Sequence, residues 1–340
     1  MNDLVETTSW LVDIPSVTGD EAGLRDAIAD RLRDMPQRAV ADSLVVGAAK
    51  EGQVLLAGHL DTVPLQGHVG ARVEDERLHG LGATDMKGGL AVMIHLAEAL
   101  GPERVACVFY AGEEGPLSGN QLGAVIEAEP WLRTASAAVV LEPTDRALEA
   151  GCQGAINADA VFIGEPAHSA RPWLGDNAIT KAGQFLVDMR GLEPEVRVVN
   201  GLEFKEVVSV TTAHGGVARN VIPSEFVLNI NYRFAPDRRP VDAVQRLHEV
   251  CAAADRVVVT DLAPSGSVDI DHPLFQRLIE HTGASVLGKQ GWTDVAQLSA
   301  AGVPAVNFGP GESTLAHKPG ESVRISDLGW VYDSLFELLR

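Results

Sequence analysis

Cysteine is scarce in this chain. Among 340 residues there are three, Cys107, Cys152 and Cys251, an odd count with no C-x-x-C spacing. That excludes a disulfide scaffold and a zinc ribbon, and it fits a reducing cytoplasm. Cys107 stands inside an apolar run and reads as a core residue. Positive charge is also short: 27 Lys and Arg face 47 Asp and Glu, a net charge of −20. Such an acidic surface argues against nucleic acid or an anionic membrane as partner, although local arginines can still hold an anionic small molecule. No apolar run approaches the roughly 20 residues needed to span a bilayer. The opening stretch MNDLVETTSWLVDIP carries acids and no basic segment ahead of an apolar one, so no signal peptide is expected.

What is present suits a soluble globular protein. Hydrophobic residues make up 46% and charged residues 22%, enough to bury a real core. The length favours about two domains. Apolar spacing predicts helices over 3–13, 20–35 and 86–100. The runs QVLLAGHLD (53–61), RVACVFYAGEEG (104–115) and AAVVLEPT (137–144) read as buried strands. Strands alternating with helices imply an α/β domain with a mostly parallel sheet. After Gly151 the strands INADAVFIGE, VVSVTTAHGG and EFVLNINYRF alternate as half-exposed strands do, with helices over 177–190 and 240–254. This predicts an inserted α+β domain over 155–264. The α/β domain then comprises 1–154 and 265–340 and closes with a helix over 326–339.

Three predicted strands end in polar groups: His59-x-Asp61, Glu113-Glu114 and Glu142. In parallel sheets functional groups gather at the carboxyl ends of strands. Residues two apart share a face of a strand, so Asp61 is placed to steady His59 as a ligand. An ordinary turn after a strand would look the same in isolation. Adjacent residues point to opposite faces of an extended chain, which gives Glu113 and Glu114 different tasks: one holds metal, the other moves a proton. Asp85 lies in GLGATDMKGG, a G-x-G-x-x-D pattern rather than the dinucleotide fingerprint. Its glycines permit unusual backbone angles beside a buried ion, and Asp85 could equally cap a helix. With His317 the set holds two histidines and several carboxylates, which suits zinc or a similar divalent ion. The ligand arithmetic suggests two ions, each with a histidine and a terminal carboxylate, sharing a bridging carboxylate and a water.

Taken in order, GHLDTVP, GLGATDMKGG, AGEEG, LEPT, AHSARPWLGDNAI, RNVIP, NYRF and FGPG…AH resemble the zinc aminoacylase and carboxypeptidase superfamily, from about residue 8 to the C-terminus. The resemblance implies a zinc-peptidase-like catalytic domain and an inserted dimerisation lid. It implies two zinc ions per subunit, with cobalt a possible substitute. His59 and Glu142 would ligate the first, Glu114 and His317 the second, and Asp85 would bridge. Asp61 would orient His59, and Glu113 would be the general acid/base. A cis peptide is implied at Asp85–Met86. His168, in the A-H-S motif, would reach the partner subunit's site and stabilise the oxyanion, so a homodimer is implied. Arg171, Asn220, Arg233, Gly291 and Thr293 become candidate contacts to a small N-acyl amino acid. Arg171 could also be a surface residue, and Thr293 a helix cap. In PGESTLAH no asparagine stands where the resemblance places a substrate contact; Ser313 is nearby. The stretches EAGCQG, AHSARPWLGDNAI, NYRFAPD, GWTDV and PAVNFGPG look most like an actinobacterial branch acting on N-succinyl-LL-2,6-diaminopimelate, in lysine and cell-wall precursor synthesis. Another N-acyl amino acid such as acetylornithine, a peptide, or a non-catalytic metal-binding role are the alternatives. An intact Glu113 weighs against the last.

Overall fold

A computed structural model describes residues 2–64, 67 and 70–340. The chain forms two compact units: Met1–Gly151 with Gly266–Lys289 and Asp294–Arg340, and Cys152–Ser265 with Gln290–Thr293. The divisions fall at Gly151/Cys152 and Ser265/Gly266, where 154/155 and 264/265 were expected. Gln290–Thr293, expected in the first unit, clusters with the second.

The first unit is built on an eight-stranded mixed sheet. Its four central strands, Val105–Tyr110, Val54–His59, Ala137–Pro143 and Ala305–Gly309, run parallel. Apart from Val54 all their residues are buried, because both faces are covered. The helix Gly88–Leu100 is buried over most of its length and packs against Asn2–Asp13 and Ile325–Leu339. Four parallel strands send their carboxyl ends to one edge, with His59 and Glu142 at strand ends and Glu113 and His317 in the loops that follow. A small antiparallel sheet of Arg72–Glu74, Arg77–His79 and Ser322–Arg324 stands apart from the large one.

The second unit is a five-stranded antiparallel sheet in the order Glu195–Val199, Leu202–Gly215, Glu225–Phe234, Gly154–Ile163 and Arg256–Ala263. Along Glu225–Phe234 buried and less buried residues alternate strictly. The buried set, Phe226, Leu228, Ile230, Tyr232 and Phe234, packs with Phe185 and Leu247 from two helices. The other face is polar. The Asn157 side-chain oxygen accepts from Asn229 (3.3 Å) and Asn231 (2.9 Å) across the strands.

Three expected helices are shorter or broken; the one predicted over 240–254 is Pro240–Val250 and ends in a turn at Cys251. The one predicted over 20–35 is Ala22–Arg31 and gives way to a turn before Pro36. Proline blocks the helix there and restricts the residue before it. The one predicted over 177–190 is Ala178–Lys181 followed by Gly183–Arg190, broken at Ala182–Gly183.

Candidate metal centre

Strand Val54–His59 packs so closely that Gly58 has no room for a side chain; a Cβ there would meet Met86 at 2.7 Å. The strand ends with His59 nearly inaccessible. His59 Nδ1 lies 2.9 Å from the main-chain oxygen of Asp61 and 3.6 Å from its carboxylate. With Nδ1 donating to that carbonyl, Nε2 keeps its lone pair. Nε2 is 3.1 Å from Asp85 Oδ1 and 3.7 Å from Glu142 Oε1.

Asp61 thus steadies His59 mainly through its backbone. Its carboxylate has a second task. It accepts the N–H groups of Glu113 (3.0 Å) and Glu114 (2.9 Å) and the Thr18 hydroxyl (3.0 Å). The expectation that Glu113 and Glu114 face opposite ways needs correcting. The strand stops at Tyr110 and both glutamates sit in a turn, where alternation no longer applies. Asp61 gathers their backbones, and oxygens of both lie within 4.8 Å of a His59 nitrogen and of each other.

Asp85 is presented by the irregular turn Ala83–Lys87, whose Asp85–Met86 peptide is cis. It is not a helix cap; the helix begins at Gly88. The turn's N–H groups at Thr84 and Asp85 donate to Glu321 Oε1 at 3.0 and 3.1 Å. His317 Nε2 lies 2.8 Å from Glu114 Oε1 and 3.3 Å from Asp85 Oδ2. His317 itself adopts φ 60°, a left-handed conformation seldom taken by non-glycine residues and concentrated at functional sites.

Among the described residues three trios of potential ligand atoms form: His59, Glu113 and Glu114; His59, Asp85 and Glu142; and Asp85, Glu114 and His317, the last two sharing Asp85. Their electrostatics call for cations. Burial pushes the Glu142 carboxyl up to about 7, with Asp85 adding repulsion. Burial also holds the Glu113 carboxyl well above its usual range, against the pull of His59 and with Glu142 and Asp294 adding to the rise. Burial pulls the His59 pKa down, but Asp61 and Asp85 outweigh it and the imidazole ends well above normal. Asp85 and Glu114 push His317 to about 10. Glu142 Oε1 is buried with no hydrogen-bond partner among the described residues. A divalent cation in each trio that contains Asp85 would satisfy the same field, and the imidazoles would then bind it as neutral ligands. The donors, imidazole nitrogen and carboxylate oxygen, suit zinc-like ions. The residues fit the group.

Three contributors escaped the sequence reading. Glu321 holds the Asp85 turn. Glu312 accepts from Arg77 Nη2 at 2.7 Å and from Arg324, on the loop leading to His317. Asp294, fully buried, accepts from Asn120 (3.0 Å) and Gln297 (2.6 Å) beneath the Glu113 turn. Each is a lone acid in a loop or at a helix start, with no local pattern to mark it.

The remaining expected residues lie in the second unit. His168 is on an exposed loop bridged to Val221, and its Nδ1 accepts the Ala170 N–H at 3.0 Å. Arg171 and Asn220 are exposed nearby; the Asn220 carbonyl accepts from Ser169 at 2.9 Å, which brings the two loops together. Arg233 donates through Nε to Asn231 at 3.1 Å. The Gly291 carbonyl accepts from Gln153 at 3.1 Å. Thr293 is 2% exposed, and its hydroxyl has no hydrogen-bond partner among the described residues. It caps no helix; the position before Val295–Ala300 is Asp294.

The model of peptidase family M20/M25/M40 matches residues 55–340. The chain is 40% identical to the putative succinyl-diaminopimelate desuccinylase DapE of Mycobacterium tuberculosis, over 98% of this chain and 97% of that protein. It is 34% identical to the succinyl-diaminopimelate desuccinylase of Corynebacterium glutamicum, over 96% and 94%. Among solved structures, a tripeptidase from Staphylococcus aureus has the same fold, with a TM-score of 0.81 at 20% identity over 99% of this chain and 97% of that one.

Proposed function

The chain belongs to peptidase family M20/M25/M40, and from that premise we propose that it is a metal-dependent hydrolase converting N-succinyl-LL-2,6-diaminopimelate and water to succinate and LL-2,6-diaminopimelate, in lysine and diaminopimelate biosynthesis. One observation carries the chemistry: two ligand trios share Asp85, with the Glu113 carboxylate beside them. The substrate comes from the two desuccinylases that this chain resembles over nearly its whole length.

His59, Asp85 and Glu142 would hold one ion, and Asp85, Glu114 and His317 the other; zinc is the reading, with cobalt able to replace it. Bound there, the ions would supply an acidified water and a polarised amide carbonyl. Glu113 takes the proton of the attacking water and gives it to the leaving amine nitrogen as the C–N bond breaks. Its raised pKa suits a group that must both accept and release a proton. Asp61 keeps the Glu113 and Glu114 backbones in register with His59.

The reading extends to the second unit. His168 would donate to the oxyanion in the partner subunit's site, so the working form is a homodimer joined through this unit. Arg171 and Arg233 would grip the substrate's carboxylates, since guanidinium pairs with them bidentately. Asn220, Gly291 and Thr293 would add neutral hydrogen bonds; the unpartnered Thr293 hydroxyl supports this. Ser313 begins the short turn Ser313–Leu315 before His317, and no substrate contact is assigned to it. The three buried free cysteines fit a cytoplasmic setting. No helix of the described residues is long and apolar enough to cross a membrane.

The test is direct. Zinc-loaded protein is given N-succinyl-LL-2,6-diaminopimelate, with N-acetylornithine in parallel and a chelated control, and loss of amide absorbance is followed. Chelator-sensitive loss of the succinyl compound is expected. No loss with metal bound would reject the substrate, and loss of the acetyl compound alone would move the assignment to a deacetylase.

A further inference from the structure

We propose that Glu321 is a positioning residue that couples the two ion sites, by fastening the turn that carries Asp85 to the end of the loop that carries His317. The inference rests on the two-ion reading above.

The turn Ala83–Lys87 departs from helical geometry at Asp85 (φ −125°, ψ 90°) and Met86 (φ −134°, ψ 37°). The amides of Ala83 and Lys87 donate to the Gly80 and Gly82 carbonyls, which leaves those between them to find other acceptors. Buried N–H groups must find a partner. Those of Thr84 and Asp85 converge on one oxygen, Glu321 Oε1, at 3.0 and 3.1 Å. Glu321 is 1% exposed.

Glu321 is itself fixed. Its N–H donates to the Lys318 carbonyl at 3.0 Å and its carbonyl accepts from Gly80 at 3.2 Å. The next residue opens strand Ser322–Arg324, paired with Arg77–His79. The other end of the same loop also touches the turn. Gly311, at φ +99°, passes so close that a Cβ there would lie 1.9 Å from Thr84 Oγ1. Asp85 and His317 are thus carried on two segments that meet at Glu321 and Gly311, and both side chains face one ligand trio.

A second carboxylate on the loop offers a contrast. Glu312 is clamped by Arg77 and Arg324, and among the described residues it makes no hydrogen bond to the Asp85 turn. It steadies the His317 loop alone. The two glutamates should therefore fail differently. Loss of Glu321 disturbs Asp85, which both trios use. Loss of Glu312 disturbs only the trio that contains His317.

The test uses apo full-length protein titrated with zinc against a chromophoric chelator, with thermal unfolding of each apo variant as the check on folding. Glu321→Ala should weaken both ions by about 10- to 100-fold, the usual range for partners behind the ligands. Glu312→Ala should weaken one and leave the other at the wild-type value. Glu321→Gln keeps a carbonyl oxygen and should recover most of the affinity. If Glu321→Ala does not fold, Glu321→Asp, shorter by one methylene, should show the same two-site loss. Wild type taking two ions, with Glu321→Ala (or Glu321→Asp) binding both as tightly, overturns the coupling alone. Wild type taking one ion overturns the two-ion reading, and the coupling with it.

Discussion

In the first unit His59, Asp61 and Glu142 are 1%, 1% and 6% exposed and converge on shared partners. In the second, His168, Arg171 and Asn220 stand on exposed loops, and Trp173 and Val217 show 75% and 87% of their surface. The two units also differ in how they treat a buried carboxylate. Glu206, in the second, accepts from the Tyr232 hydroxyl (2.8 Å), twice from Arg238 (2.8 Å) and from the Ala235 N–H (2.9 Å). That network is closed, as a structural one should be. The cluster around Glu142 is open: an oxygen without a donor, beside other acids. Burying acids beside one another is costly, as the raised Glu113 and Glu142 carboxyls show, so an open cluster points to cations from outside the chain. Exposed groups carry no such demand, and their roles rest on what comes to cover them.

The contrast can be broken by mutation. Glu113→Gln should lower turnover about 10³-fold, within the range for a lost general acid/base, while bound zinc stays unchanged. Metal content and kcat measured on one preparation check this; retained turnover would remove Glu113 from the chemistry. His168→Ala should cost about 10²-fold in kcat, the lower end for one oxyanion donor, again with zinc retained. Mixing His168→Ala chains with Glu113→Gln chains should restore activity that neither has alone, because each mixed dimer holds one intact site. Absence of rescue in verified mixed dimers would put His168 in its own chain's site or outside catalysis.

Glu206→Gln probes the closed network and should destabilise the protein by about 3 kcal/mol at neutral pH, the cost of breaking a buried ion pair. Burial alone would raise the Glu206 pKa, but Arg238 and its other donors hold it below the usual value. Its contribution is therefore present above the unfolded carboxylate pKa of about 4.3 and lost as pH falls through the folded value. Urea midpoints of wild type and variant should converge on acidification; a constant gap would contradict the pairing. Trp173→Ser should change chain stability by less than about 0.5 kcal/mol, as an exposed site does. A larger loss in the same urea assay would mean that Trp173 is packed and the contrast overstated.

The open cluster was legible in the sequence for a physical reason. Apolar runs that stop at a histidine or an acid announce buried strand ends, and parallel sheets place those ends together. His59 and Glu142 end central parallel strands, and Glu113, Glu114 and His317 follow such strands. Alternation misled where the strand had already ended, at the Glu113–Glu114 turn. Short elements such as Gln37–Val40, Arg72–Glu74 and Val286–Gly288 left too few residues for a period to show. Glu312 and Glu321 were invisible because their partners lie up to 235 and 237 positions away. Nothing local distinguishes such an acid from a solvated one.

The central claim is that the first unit assembles a two-ion centre around Asp85. It is tested most directly by counting the zinc ions that apo wild-type protein binds per chain, beside His317→Ala. The account predicts saturation at two for wild type and one for the variant. Saturation of wild type at one, or an unchanged count in the variant, would contradict it.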